Sequence, residues 1–380
     1  MDRTIFDQGH DLFRSSVRCF IEKEIAPHHG DWVEAGIVPR EIWMRAGAQG
    51  YLCPAAPEEY GGSGIDDFRY DAILGEELTR QNCTGPGFGI HGTIVAPYIL
   101  NYGTDEQKHR WVPGMVNGDT ILAVGMTEAT AGSDLGSIRT SAIDKGDHYV
   151  VTGQKSFVSN GTLADVIIIS CVTDPAAKQW GVSLLAIEKG TDGMSIGPPL
   201  AKIGWRAQDT VEVFLDEVRV PKTNLIGKPG QGVYLMGKEL DRERMLIAVN
   251  SMASARAALD WTIDYCKERT AFGQPIGTFQ NSRFRLAEME TEVTIGQVFI
   301  DRCIMEWNAR TLESAEVAMA KWWATDLQQR VVDQCLQLHG GYGYMTEYPI
   351  AQAWMDMRWT PIGGGTNEIM KDFIGRTMGF

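Results

Sequence analysis

The spacing of apolar residues changes twice along the chain. Phe13, Val17, Ile21 and Ile25 recur every four positions before Pro27, as on one face of a helix. Pro39 opens a second helical stretch through Ile42–Ala48, closed by Gly50, and Asp71–Thr79 reads as a third. Thr104 is placed to cap a helix over Asp105–Val112. From about residue 119 the period shortens to two. Tyr149–Val151, Val166–Val172, Val182–Ile187 and Val211–Val220 are β-rich runs between Gly, Pro, Asn and Asp. Val211, Val213 and Leu215 alternate with Glu212, Phe214 and Asp216, the pattern of a half-buried antiparallel strand. After residue 230 long helical periods return, over roughly 232–270, 280–310, 314–338 and again beyond 367. The expectation is an α+β chain of three domains: an all-α domain at 1–118, a small all-β barrel or sandwich at 119–228, and a helical bundle at 229–380.

Composition narrows the partners. A formal net charge of −14 over 380 residues argues against nucleic acid or an anionic membrane surface as the main partner. The seven cysteines are dispersed with no CxxC, which reads as reduced thiols in a cytosol-like compartment and gives no metal-ligand spacing. Met1–Phe20 lacks the apolar core of a signal peptide, and no apolar run is long enough to span a bilayer.

Four stretches carry candidate chemistry. Pro361–Met370 (Pro-Ile-Gly-Gly-Gly-Thr-Asn-Glu-Ile-Met) offers three glycines that let a ligand approach the backbone. Met126–Asp134 crowds hydroxyls and N–H groups into one loop, suited to a flat heterocycle or a phosphate. In Gly153–Gly161 a strand would place Phe157 and Ser159 on one face, an aromatic surface beside a hydroxyl. In Leu240–Met245, Glu243 lies three residues after Leu240 and four before Ile247, on the stripe that includes Val233 and Met236. A carboxylate on an apolar stripe is costly unless it is paired or functional, and desolvation raises its pKa toward that of a general base. Gly87-Phe88-Gly89-Ile90-His91-Gly92 matches G-x-G-x-x-G, but no strand precedes it, so close helix packing or a pocket wall explains it better than a dinucleotide fingerprint. His91 reads as a structural histidine.

Taken together, Thr127–Asp134, Gly153–Gly161, Asp216–Pro221, Lys267–Gly273, Gln337–Gly343 and Gly365–Glu368 give the chain a resemblance to the acyl-CoA dehydrogenases that runs almost end to end. The resemblance implies an N-terminal helical domain, a central antiparallel β-barrel domain and a C-terminal four-helix bundle enclosing FAD, generally in a homotetramer. It implies that Met126, Thr127, Phe157 and Ser159 contact the isoalloxazine. Ser133 would reach the flavin pyrophosphate or the acyl-CoA. Arg269, Phe272, Gln280, Gln337 and Gly341 would hold the adenine-diphosphate end, partly across a subunit interface. Thr366 and Glu368 would close over the FAD. Asp241, Arg244 and Gly365 would lie against the substrate.

One position departs from the common family form, which has its catalytic glutamate just before the Gly-Thr of the last motif. Here that residue is Gly364. In the long-chain and isovaleryl branches the base sits on the first helix of the C-terminal bundle, which in this chain is Glu243. The implied reaction is α,β-dehydrogenation of an acyl thioester. Glu243 takes the α-proton, the β-hydrogen leaves as hydride to the flavin, and the Gly364 N–H helps polarise the thioester carbonyl. Electrons would pass to an electron-transfer flavoprotein. A long or branched acyl group fits the bulk missing at Gly364. The rival readings are a dehydrogenase of carrier-bound acyl groups, an acyl-CoA oxidase, and a flavin-containing binding protein without turnover.

Overall fold

A computed structural model describes residues 2–380. Six helices build the first part: α1 (Gln8–Phe20), α2 (His29–Ala35), α3 (Arg40–Ala48), α4 (Phe68–Arg80), α5 (Ala96–Tyr102) and α6 (Asp105–Asn117). Their starts follow local chemistry. The Thr104 hydroxyl accepts from the Gln107 N–H at 3.2 Å, and the Gln107 side chain returns a bond to the Thr104 N–H at 3.0 Å. The helix expected to stop at Val112 continues through Pro113 to Asn117. Trp111, Val112 and Met115 are buried along it, and that packing offsets the donor lost at proline.

The central region is a sheet of β1 (Leu122–Gly125), β2 (Ser141–Asp144), β3 (His148–Ser159), β4 (Val166–Val172), β5 (Val182–Glu188), β6 (Met194–Ile196), β7 (Thr210–Pro221) and β8 (Leu225–Ile226). Their order is β6-β7-β3-β2-β4-β5-β8, with β1 also on β4. The wholly antiparallel barrel of the expectation is therefore corrected to a mixed sheet, because β1 and β2 both pair parallel to β4. The chain reaches β4 from each of them by a long connection, as parallel pairing requires. Val211, Val213 and Leu215 point inward as read, but the phase flips at Glu217 (φ +52°), after which Val218 and Val220 are the buried positions. A second irregularity falls between Lys155 and Val158 of β3.

The last region holds α7 (Gly232–Glu268), a short hairpin of β9 (Thr270–Ala271) and β10 (Gln274–Pro275), α8 (Gln280–Asn308), α9 (Ser314–His339), α10 (Pro349–Met357) and α11 (Asn367–Thr377). Helix α10 was not expected. It starts on Pro349 at its first position, and it buries Ile350, Ala353 and Met357. At 37 residues α7 is roughly 55 Å long and runs against α4, α8 and α9. One apolar core joins all three regions, from Val95 through Leu122 and Ile168 to Met245 and Val331. This continuity holds the helical and sheet elements in fixed positions around one cavity.

Candidate active site

A cavity of about 870 Å³ opens where α4, α7, α10, the β3 bulge and the triglycine loop meet. Thr127, Ser133, Phe157, Ser159, Glu243, Gly364, Gly365 and Thr366 all line it. The four stretches singled out in the sequence thus converge on one space.

Two devices shape the sheet side of the cavity. The Thr127 loop is pinned by Glu128, which accepts from Lys155 Nζ at 2.7 Å, the Arg139 N–H at 2.8 Å and the Thr140 N–H at 3.0 Å. Burial works against the Glu128 charge, but Lys155 and the two N–H groups outweigh it and hold its carboxyl below the usual range. Beside this pair the β3 bulge puts Phe157 at φ +58° and turns its ring out, 68% exposed. Phe157 and Ser159 share the cavity as read, yet it is the bulge that aims the ring. Ser159 Oγ lies 3.3 Å from Thr210 Oγ1, which accepts from Lys202 Nζ at 3.0 Å.

On the helix side, Glu243 is half buried and its carboxylate makes no hydrogen bond or ion pair among the described residues. A Cβ built on Gly364 would lie 3.5 Å from Glu243 Oε1, so the carboxylate occupies the space beside the glycine. Burial raises the Glu243 pKa, and Arg244 and Lys321 oppose that rise. Gly364 and Gly365 adopt φ of +63° and +90°, conformations that favour glycine. Arg244 Nε donates to the Gly364 carbonyl at 3.0 Å, and Arg244 Nη1 to Asp241 Oδ1 at 2.9 Å. Among the described residues the N–H groups of Gly364 and Gly365 donate to no other atom of the chain.

The remaining candidates are placed differently. Met126 is half buried behind the loop and its carbonyl accepts from Lys155. Asp241 and Arg244 do not line the cavity; Asp241 is held by Arg244 and by the Ser314 hydroxyl at 2.5 Å. Arg269, Phe272, Gln280, Gln337 and Glu368 are exposed, with Phe272 98% accessible. Arg269 and Gly341 instead line a separate hollow with Tyr265, His339 and Tyr342. Within one chain, the residues assigned to the two ends of FAD do not share a cavity. His91 is structural: it accepts from the Leu122 N–H at 3.1 Å, its other nitrogen faces the Met115 carbonyl at 2.9 Å, and burial lowers its pKa to about 4.

Sequence reading missed Trp205, Gln208 and Trp359, which complete the wall. Trp205 and Trp359 meet edge to face at 4.9 Å. The one local signal that could have found them is Gly204 before Trp205, a glycine beside an aromatic. The donor set suits a flat, oxygen-rimmed ring: an outward aromatic, the hydroxyls of Thr127, Ser159 and Thr366, and buried Gln208 Nε2 and Trp359 Nε1 without partners among the described residues. The residues present therefore fit the isoalloxazine of FAD.

Comparison with known proteins agrees. Residues 7–119, 123–218 and 230–379 match the acyl-CoA dehydrogenase N-terminal, middle and C-terminal domain models. The chain is 45% identical over 376 residues to a protein of Sus scrofa named long-chain specific acyl-CoA dehydrogenase, mitochondrial, covering 98% of this chain and 87% of the relative. It is 32% identical over 377 residues to an isovaleryl-CoA dehydrogenase of Solanum tuberosum, covering 98% and 91%. A solved acyl-CoA dehydrogenase from Geobacillus kaustophilus superposes with a TM-score of 0.98 at 44% identity over the whole of both chains. The chain belongs to the acyl-CoA dehydrogenase family of FAD-dependent oxidoreductases.

Proposed function

We propose that this enzyme dehydrogenates long-chain or branched acyl-CoA thioesters between Cα and Cβ, with Glu243 as the base and an electron-transfer flavoprotein as the acceptor. The observation that carries the reading is the unpaired Glu243 carboxylate in the cavity, beside the position where a side chain on Gly364 would begin. Bound FAD supplies the hydride acceptor.

The chain's own residues do the rest. Thr127, Ser159 and Thr366 offer hydroxyls to the ring edge, and Phe157 offers its face. The free N–H groups of Gly364 and Gly365 are donors for a thioester oxygen on which charge develops. Burial lifts Glu243 toward the pH at which a carboxylate accepts a carbon-bound proton. Apolar Leu74, Leu78, Ile90, Ile94, Leu246 and Ile247 line the cavity beyond the base and exclude water from an acyl tail. Gly87 and Gly89 also line it and take no space from the tail. Arg244, which holds the Gly364 carbonyl, and its partner Asp241 would lie against the CoA arm. The exposed Arg269, Phe272, Gln280, Gln337 and Gly341 would serve the adenine end of a cofactor shared with a second copy in a homotetramer.

Glu243→Gln tests the base. The variant is expected to retain flavin absorbance and to lose bleaching by acyl-CoA, with turnover down about 10²–10⁴-fold. Undiminished bleaching would remove Glu243 from the role. An acyl-CoA panel gives chain length. Peroxide production would identify an oxidase, and turnover confined to carrier-bound acyl groups would identify the carrier-linked rival.

A further inference from the structure

Lys321 of α9 is a buried cation that the reaction as written does not use. Its side chain is fully buried, yet no carboxylate of the described residues lies within ion-pair distance. A buried lysine without a counter-ion is expensive, so its retention calls for a reason. Its ammonium donates to the Gly365 carbonyl at 2.7 Å and to Asn367 Oδ1 at 3.1 Å. Arg244 holds the neighbouring Gly364 carbonyl from the α7 side at 3.0 Å. Two cations therefore grip consecutive carbonyls of the loop that faces Glu243.

We propose that Lys321 is a positioning residue for Glu243: from behind the triglycine loop it fixes the loop and, with Arg244, supplies the positive field that stabilises the half-buried carboxylate. This rests on Glu243 being the base. Removing the charge leaves Glu243 with burial less opposed, and the carboxylate then holds its proton to higher pH.

The charged surroundings are few. On α7, Asp241 is already paired with Arg244, and Arg242 with Asp71 of α4, which lines the same cavity as Glu243. On α11, Glu368 is exposed and near Lys371, while Asn367 is neutral. Tyr98 of α5 is buried, and burial and Glu243 together raise its pKa, so it stays neutral through the working range. Burial and Arg244 lower the Lys321 pKa to about 8, against the pull of Glu243 and Glu368. At neutral pH the lysine therefore still carries its charge.

The test is the pH profile of flavin bleaching by a saturated acyl-CoA in single turnover. Lys321→Gln keeps a donor for the Gly365 carbonyl and removes the charge. Its acid limb is expected to move up by about one pH unit, with flavin content unchanged. Lys321→Arg keeps a charge and is expected to leave the limb near that of the parent. An unshifted limb in flavin-replete Lys321→Gln overturns the inference. Should Lys321→Gln not fold, a parent-like limb in Lys321→Met would overturn it equally, and a raised one would support it. Glu243→Gln in the same assay separates the two claims. If it still bleaches, the base assignment fails. If it does not, while Lys321→Gln is unshifted, only the role of Lys321 fails.

Discussion

The Glu243 carboxylate and a side chain on Gly364 would compete for one space. A Cβ at 364 would meet Ile247 Cδ1 at 2.7 Å and would sit at φ +63°, which costs an L-residue roughly 1–2 kcal/mol. Gly364→Glu alone is therefore expected to lower thermal stability and to crowd Glu243. The double variant Glu243→Gly with Gly364→Glu relieves the contact with residue 243, though not that with Ile247, and is expected to recover part of the turnover, with shorter chains preferred. Steady-state kinetics over chain length check this. His91 gives a pH prediction for stability. Its folded pKa of about 4 lies below the ordinary 6.5, so the unfolded chain binds more protons between those values. Its contribution is full above pH 6.5 and is lost as pH falls toward 4, up to about 3 kcal/mol. Denaturant titrations at pH 7 and 5 measure it, and the dependence should flatten in His91→Gln. At this scale the sequence was informative where charge met periodicity, as at Glu243. It was silent on Lys321, because a lysine in a helical run reads as surface until a loop from 44 residues later is seen to cover it.

Among elements, the bulge in β3 and the Glu128–Lys155 pair do the most to build the sheet side of the site. Lys155 is fully buried and Glu128 nearly so, and removing one partner leaves the other charge uncompensated. Lys155→Met is expected to cost about 3–5 kcal/mol and to loosen the Thr127 loop, read as a lower Tm and weaker flavin retention. Thr104→Ala, which breaks the capping box of α6 far from the cavity, is expected to cost about 1 kcal/mol without changing flavin content. Periodicity located α1, α3, α4, α7, α8 and α9, whose buried faces repeat over several turns. It stopped α6 at Pro113 and overlooked α2, α5 and α10, because one proline outweighs its neighbours locally and helices of seven to nine residues show too little period, while tertiary burial decides the outcome.

At the scale of the molecule, one core runs through all three regions, so the cavity walls come from segments that span most of the chain. The exposed Phe272 and the hollow around Arg269 belong to no part of that cavity. Phe272→Ala is expected to weaken FAD retention and to leave bleaching by acyl-CoA intact in whatever fraction stays loaded. Flavin content after gel filtration checks the first part, and bleaching per bound flavin the second.

The sequence by itself determined the order of helical and β segments, the three-part organisation, the family, and the departure at Gly364. These are written in periods of two and 3.6 and in motifs whose order survives without coordinates. Only the tertiary structure decided the rest. The sheet is mixed because pairing partners lie far apart in sequence. Phe157 faces the cavity because a bulge turns it. Arg244 grips the loop, and Asp241 grips Arg244, because the side chains were free to choose among neighbours that the sequence does not rank. Lys321 stands behind the glycines because helices α7, α9 and α11 pack there, and long-range packing leaves no local period to read.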